Sequence, residues 1–211
     1  MALIGAHIST AGGLCRAFER ADALGCESMQ IFTRNQRQWL CKDLSFSEIE
    51  AFYRASQTSG VKSVVSHASY LINLAGEPIV REKSEAALLS EVKRCHALSI
   101  PNIVLHPGFS GTGDAGSALK LIADSLLRVF DCTADMNVSV LLETMAGQGT
   151  VIGGDFSHFS SLLDLMSDHP RVGLCADMCH IFAAGYEIRS YESYDKVVSL
   201  LFKHVGQGRI K

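Results

Sequence analysis

The sequence predicts an α/β fold built as a (β/α)8-type barrel, of which about six strand–helix units are present. Three observations lead there. Short β-rich runs alternate with longer stretches of helical spacing along the whole chain. The runs are almost continuously apolar, as parallel strands covered on both faces must be, rather than alternating. Each run also closes on a polar side chain, and in a (β/α) barrel the strand ends share one mouth.

The runs are ALIGAH (2–7), SMQIFT (28–33), SVVSH (63–67), NIVLH (102–106), VSVLLE (138–143) and VGLCAD (172–177). They end in His7, Thr33, His67, His106, Glu143 and Asp177, at intervals of 26, 34, 39, 37 and 34 residues. Each interval fits one helix, one strand and their loops. Pro78 opens a helical stretch over 78–98 that carries Ala86, Leu89, Val92 and Leu98 between charged residues. A second stretch, 117–130, carries Leu119, Ile122, Leu126, Leu127 and Val129. Repeated strand–helix alternation implies right-handed βαβ units and a parallel sheet. A doubly wound open sheet also collects residues at strand ends, but it does not usually use nearly every strand. The barrel fits better.

Closure takes eight strands. The final GQGRIK reads as the start of a seventh, and two further units would need on the order of 70 residues, in line with the ~250 of such barrels. No linker or shift of composition divides the chain, so residues 1–211 read as one incomplete domain.

Bulk properties narrow the function. A chain of 211 residues with 47% hydrophobic content is long enough for one substantial core. No apolar run approaches the length of a membrane span, and MALIGAHISTAGG lacks the basic-then-apolar pattern of a secretory signal. A cytoplasmic protein is expected. The seven cysteines are odd in number, scattered and mostly set in apolar segments, which predicts buried free thiols. A net charge of −3 gives no global sign of nucleic-acid binding, so any DNA affinity must come from a local patch. One stretch qualifies: between Glu27 and Asp43 the only charged residues are Arg34, Arg37 and Lys42. By charge alone it reads as an ordinary solvated loop.

A single histidine beside an apolar run is weak evidence of a ligand. Convergence changes that, because His67, His106, Glu143, Asp177 and His180 are all predicted on one rim. Imidazoles and carboxylates are a donor set for Zn²⁺ or Mn²⁺. Such a cluster suits phosphodiester hydrolysis, where ions acidify water and neutralise charge on phosphate and leaving oxygen. The same donors serve sugar isomerases, so the reaction stays open at this level. Other motifs carry less. SGTGDAGS (110–117) lacks the lysine of a phosphate-binding loop and reads as a flexible connection. Cys175 and Cys179 have no second cysteine pair nearby and read as buried or incidental thiols. His96, His158, His169 and His204 fall away from the predicted mouth.

Six segments together carry a resemblance: GAHISTAGGL (5–14), FTRNQRQW (32–39), HASYLINLAG (67–76), LHPG (105–108), ETMAGQG (143–149) and GLCADMCHIFAAGY (173–186). In order and length they resemble the endonuclease IV family of apurinic/apyrimidinic endonucleases, from the N-terminus to about residue 190. The resemblance implies a xylose isomerase-like TIM barrel that uses three zinc ions to cut double-stranded DNA 5′ of a lost base. It implies His67 and His106 as ligands of the first zinc and Glu143 as the carboxylate bridging the first and second. Asp177 resembles a ligand of the second zinc and His180 a ligand of the third. Asn35, Gln36 and Arg37 resemble a DNA-penetrating loop, Tyr70 and Leu71 a second wedge, and Gln148 a groove contact. Those residue types suit filling a broken base stack and bonding phosphate. For Tyr70 and Leu71, plain packing above the third strand is the competing reading. The implied protein is a monomer of the bacterial cytosol or nucleoid.

The family pattern goes on to an H-x-N-D segment, a D-x-H segment and a late glutamate, none of which this sequence contains. By the resemblance, the second zinc would lack two protein ligands and the third would keep only His180. The first keeps His67, His106 and Glu143. Two other functions therefore stand beside the nuclease: a binder of damaged DNA that does not cut, and a sugar isomerase-like metal barrel. An open six-stranded sheet is also expected to expose two edges and apolar interior residues.

Overall fold

Each of the six apolar runs forms a strand in a computed structural model, which describes residues 2–111 and 114–211. In chain order the elements are β1 (Gly5–His7), α1 (Arg16–Ala23), β2 (Ser28–Ile31), α2 (Phe46–Thr58), β3 (Ser63–His67), α3 (Pro78–Ala97) and β4 (Asn102–Leu105). Then follow α4 (Ala115–Asp131), β5 (Ser139–Glu143), α5 (Ser157–Leu165), β6 (Val172–Cys175), α6 (Met178–Ala183) and α7 (Tyr191–Val205). The strands lie side by side in sequence order, and every pair is parallel. A doubly wound sheet would reverse its order at a switch point. This one does not, so the architecture is that of a TIM barrel with six strands in one sheet.

Side chains alternate across the strands and sort into two environments. Met29, Ile31, Ile103, Leu105, Val140, Leu142, Val172 and Leu174 point outward into one core shared with Phe18, Leu88, Val92, Ile122, Leu126, Phe159 and Leu162 from the helices. Burying each such side chain contributes roughly 1.5–3 kcal/mol, which makes this layer the main source of stability. The opposite face carries Ser28, Gln30, Ser63, Val65, Asn102, Val104, Leu141 and Cys175 around an open hollow of about 610 Å³.

Three strands are shorter at their C-terminal ends than the apolar runs suggest. β2 stops before Thr33, β4 before His106 and β6 before Asp177. For Thr33 and Asp177 the cause is visible. The Thr33 carbonyl is taken by the Arg94 guanidinium, and the Asp177 amide donates to Thr144 Oγ1 at 2.8 Å, so neither continues the ladder. At the N-terminal side, β1 begins at Gly5 rather than residue 2, and all three of its residues are exposed. Ile4 beside it is 77% exposed, which realises the expected open edge.

The other edge is partly engaged. After a 3-10 turn at Gln207–Arg209, Ile210 makes a single parallel bridge with Leu174, and the Lys211 amide donates to Leu174 O at 3.0 Å. GQGRIK thus contributes one bridge, not a strand. The long helix α3 begins at Pro78 as expected, and α4 begins two residues before residue 117, where Asp114 caps it by accepting from Ser117 N. Of SGTGDAGS, Thr112 and Gly113 lie outside the described residues. All seven cysteines are free, but only Cys95 is buried. Cys15, Cys26, Cys41 and Cys175 are half-buried, and the expectation of buried thiols fails outright at Cys132, which caps the end of α4, and at Cys179 in the short α6, both at the surface. Among the described residues, no helix is long and apolar enough to cross a membrane.

Candidate metal centre

Leu142 points to the helices, so the next residue, Glu143, turns inward at the end of β5. His67 ends β3, and His106 follows β4 by one residue. These neighbouring strand ends bring the three side chains together. His67 Nε2 lies 3.2 Å and His106 Nε2 3.0 Å from the same oxygen, Glu143 Oε2. Burial pushes the Glu143 carboxyl up, but hydrogen bonds and charge from His106 and His67 outweigh it and hold the pKa at about 2.

The tautomer of His67 follows from its other nitrogen. Nδ1 lies 2.7 Å from the Ala68 carbonyl, which can only accept, so Nδ1 donates and Nε2 is the nitrogen turned to Glu143. Nε2 of His67 and Glu143 Oε2, 3.2 Å apart, can share either a proton carried by the imidazole or a divalent ion that takes both atoms as ligands. The donor set therefore fits a divalent ion, and His67, His106 and Glu143 lie within a common ligating range.

Glu143, Asp177 and His180 form a second such group. Asp177 stands two residues beyond β6 as the cap of α6, where Oδ1 accepts from His180 N at 2.8 Å and leaves Oδ2 available. His180 Nδ1 is 3.4 Å from Glu143 Oε1 and 3.8 Å from Asp177 Oδ2, but only 2.8 Å from the Thr144 carbonyl. That carbonyl accepts from Nδ1, which leaves Nε2 as the ring's other ligand atom.

Thr144 escaped notice in the sequence. It is fully buried; Oγ1 accepts from Asp177 N at 2.8 Å and its carbonyl orients His180. Its place directly after Glu143 was the available signal. The two remaining strand-end residues do not join the cluster. His7 packs on Phe32 with ring centroids 4.5 Å apart, and partial desolvation of its otherwise exposed ring, with the nearby His67, lowers its pKa. Thr33 is buried with its carbonyl turned to Arg94.

Tyr70 stands over this mouth, and the loop 33–42 is tied to the turn that carries it. Tyr70 is exposed, yet its ring lies 5.1 Å from His67, 5.5 Å from His106 and 5.4 Å from Phe32. It roofs the histidines, while Leu71 is half-buried. Asn35 and Arg37 are exposed, and Asn35 Oδ1 accepts from Arg37 N at 2.9 Å in a tight local turn. Gln36 is half-buried, with its carbonyl accepting from Ser69 Oγ at 2.8 Å, so the two loops touch. Gln148 is exposed in a turn closed by Val151 N donating to its carbonyl. Asn73 ties down the loop after His106: Oδ1 accepts from Phe109 N and Nδ2 donates to Phe109 O, both at 3.1 Å.

Known proteins resemble this chain in sequence and fold. The family described as xylose isomerase-like TIM barrel matches residues 18–210. A Chloroflexus aurantiacus protein named "Probable endonuclease 4" is 45% identical over 213 residues, covering 100% of this chain and 74% of that protein. A Halorhodospira halophila protein of the same name is 41% identical over 209 residues, covering 98% and 70%. The crystal structure of endonuclease IV from Thermus thermophilus superimposes with a TM-score of 0.87 at 33% identity, over 99% of this chain and 74% of that one. A D-tagatose 3-epimerase-like protein, at a TM-score of 0.68 and 19% identity, shares the fold alone. By sequence and by fold, the chain belongs to the endonuclease IV family.

Proposed function

We propose that this protein is a zinc-dependent apurinic/apyrimidinic endonuclease of base-excision DNA repair. It hydrolyses the phosphodiester 5′ of an abasic site, leaving a 3′-hydroxyl and a 5′-deoxyribose phosphate. The observation that carries the reading is the approach of two imidazoles to one oxygen of the ionised Glu143, directly beneath exposed Tyr70.

His67, His106 and Glu143 would hold the first zinc, Glu143 and Asp177 would face the second, and His180 Nε2 a third. Zinc bound there supplies acidified water near neutral pH and charge neutralisation at the phosphate. The chain's own residues prepare that chemistry. Glu143 stays ionised, Ala68 and Thr144 fix the tautomers of His67 and His180, and Thr144 holds Asp177 in place. Tyr70 and Leu71 would fill the gap left by the lost base, with Asn35, Gln36, Arg37 and Gln148 contacting the duplex. The protein would act as a monomer in the cytosol or nucleoid.

The test is nicking of a duplex that carries one abasic site, with zinc and with chelator. Zinc-dependent product with a 3′-hydroxyl supports the reading. Selective binding without product would make the chain a binder of damaged DNA. Aldose–ketose conversion with indifference to DNA would make it a sugar isomerase-like barrel.

A further inference from the structure

Among the described residues, four buried side-chain polar atoms lack a hydrogen-bond partner, and three of them gather at one place. Thr33 Oγ1 and Arg34 Nε open the loop 33–42, and Glu91 Oε2 belongs to the buried face of α3. Glu91 has no exposed surface, and Arg34 and Arg94 are each 8% exposed. Arg34 and Arg94 both act electrostatically on Glu91. Sinking one carboxyl and two guanidinium groups beneath a surface loop is costly unless they are held by hydrogen bonds. A merely solvated loop requires none of this.

The bonds that are made all converge on the two candidate DNA-contacting elements. Arg94 grips both ends of the loop: Nε donates to Thr33 O at 3.0 Å and Nη1 to Lys42 O at 2.8 Å. One turn earlier on α3, Glu91 Oε1 accepts from Ser69 N at 3.1 Å. Ser69 Oγ then donates to Gln36 O, in the middle of the loop, at 2.8 Å. Arg34 donates from Nη2 to Gln38 O and folds the loop onto itself. Glu91 feels the charge of His67 as well, but neither Glu91 nor Arg94 hydrogen-bonds to His67, His106, Glu143, Asp177 or His180 through any of these bonds.

We propose that Glu91 and Arg94 are positioning residues for DNA recognition. From one buried face of α3 they set the loop 33–42 and the Ser69–Leu71 turn in a fixed relation over the metal centre. The proposal rests on the reading of Asn35, Gln36, Arg37, Tyr70 and Leu71 as DNA contacts. Elements ordered beforehand lose less entropy when the duplex arrives, so the network acts on affinity rather than on metal binding.

Trp39, the only tryptophan of the chain, lies half-buried within this loop and reports its state without DNA. The experiment compares Glu91→Ala, Glu91→Gln, Arg94→Met and the milder Ser69→Ala in the full chain. It reads Trp39 emission and acrylamide quenching, zinc content, far-UV circular dichroism and affinity for an abasic duplex. Arg94→Met, Glu91→Ala and Ser69→Ala should red-shift Trp39, raise its quenching and weaken abasic-duplex binding by about tenfold, equivalent to about 1.4 kcal/mol. Zinc content and helicity should stay at the wild-type level in Ser69→Ala, and Glu91→Gln, which keeps an acceptor for Ser69 N, should bind like wild type.

Two results overturn the proposal. One is unchanged Trp39 signals and duplex affinity in Ser69→Ala and Arg94→Met. The other is a freed Trp39 in those variants with duplex affinity still at the wild-type level. If the wild type itself shows no preference for abasic duplex while the variants free Trp39, the nuclease reading fails and the clamp on the loop remains.

Discussion

His67 and Glu143 are 76 residues apart in the chain, yet His67 Nε2 lies 3.2 Å from Glu143 Oε2. The Ala68 carbonyl accepts from Nδ1 of His67, so Nε2 is the nitrogen that meets the carboxylate. His106 repeats the approach at 3.0 Å. Three donors aimed at one point, in a site whose glutamate is held ionised, are organised for a cation. Tyr70, one of the candidate DNA contacts, lies over the same mouth.

Thr144 should prove as important to the site's shape as the candidate ligands. Thr144→Val keeps volume but removes the acceptor of Asp177 N, leaving a donor unpaired at a cost of roughly 1–3 kcal/mol. Chemical denaturation should show that loss. Zinc titration should show weaker binding by about 10–100-fold, as expected when an orienting neighbour is removed.

Tyr70→Ala should separate DNA recognition from metal binding. The ring packs over His67 and His106 without hydrogen-bonding to them, so zinc content should stay near the wild-type level. Affinity for abasic duplex should fall by about 1–3 kcal/mol, the usual worth of an aromatic stacking contact with a base. A gel-shift series with intact and abasic duplexes reads both the loss and its selectivity.

Gly108 follows His106 by two residues with φ at +120°, and a Cβ there would lie 2.4 Å from Asn73 Oδ1. Gly108→Ala therefore carries both backbone strain and a clash with the side chain that ties the loop. Thermal unfolding should show a loss of roughly 1–3 kcal/mol.

Glu91 gives stability a dependence on pH. Burial raises its pKa from 4.5 to about 7, against the lowering effects of the Ser69 amide and of Arg34. The folded chain binds the proton more tightly than the unfolded chain, so this group's contribution is fully present below about pH 4.5 and is lost as pH rises through about 7. Glu91→Gln lacks that titration. Its stability relative to wild type should increase from about pH 5 to about pH 8, measured by urea unfolding at a series of pH values.

Much of this was legible in the sequence because it depends on strand periodicity. Continuous apolar runs marked all six strands, and their spacing placed His67, His106 and Glu143 at neighbouring strand ends. Less visible was everything decided by backbone hydrogen bonding at the mouth. Asp177 caps α6 rather than ending β6, and Thr33 turns toward Arg94, because side chains from elsewhere take their backbone groups. Thr144, Glu91 and Arg94 carry no motif of their own. A buried charged pair on a helix looks, in one dimension, like any charged helical face. The loop TRNQRQW read as solvated by charge alone, and its resemblance to a family segment had to supply what charge could not.

The most direct test of the central claim is zinc stoichiometry. The protein is purified in zinc, dialysed against trace-metal-free buffer and analysed by elemental mass spectrometry beside Glu143→Gln and His67→Ala. The account predicts at least one zinc per chain in the wild type and a marked loss in both variants. Well under one zinc per chain, or equal zinc in all three proteins, would contradict a metal centre at His67, His106 and Glu143.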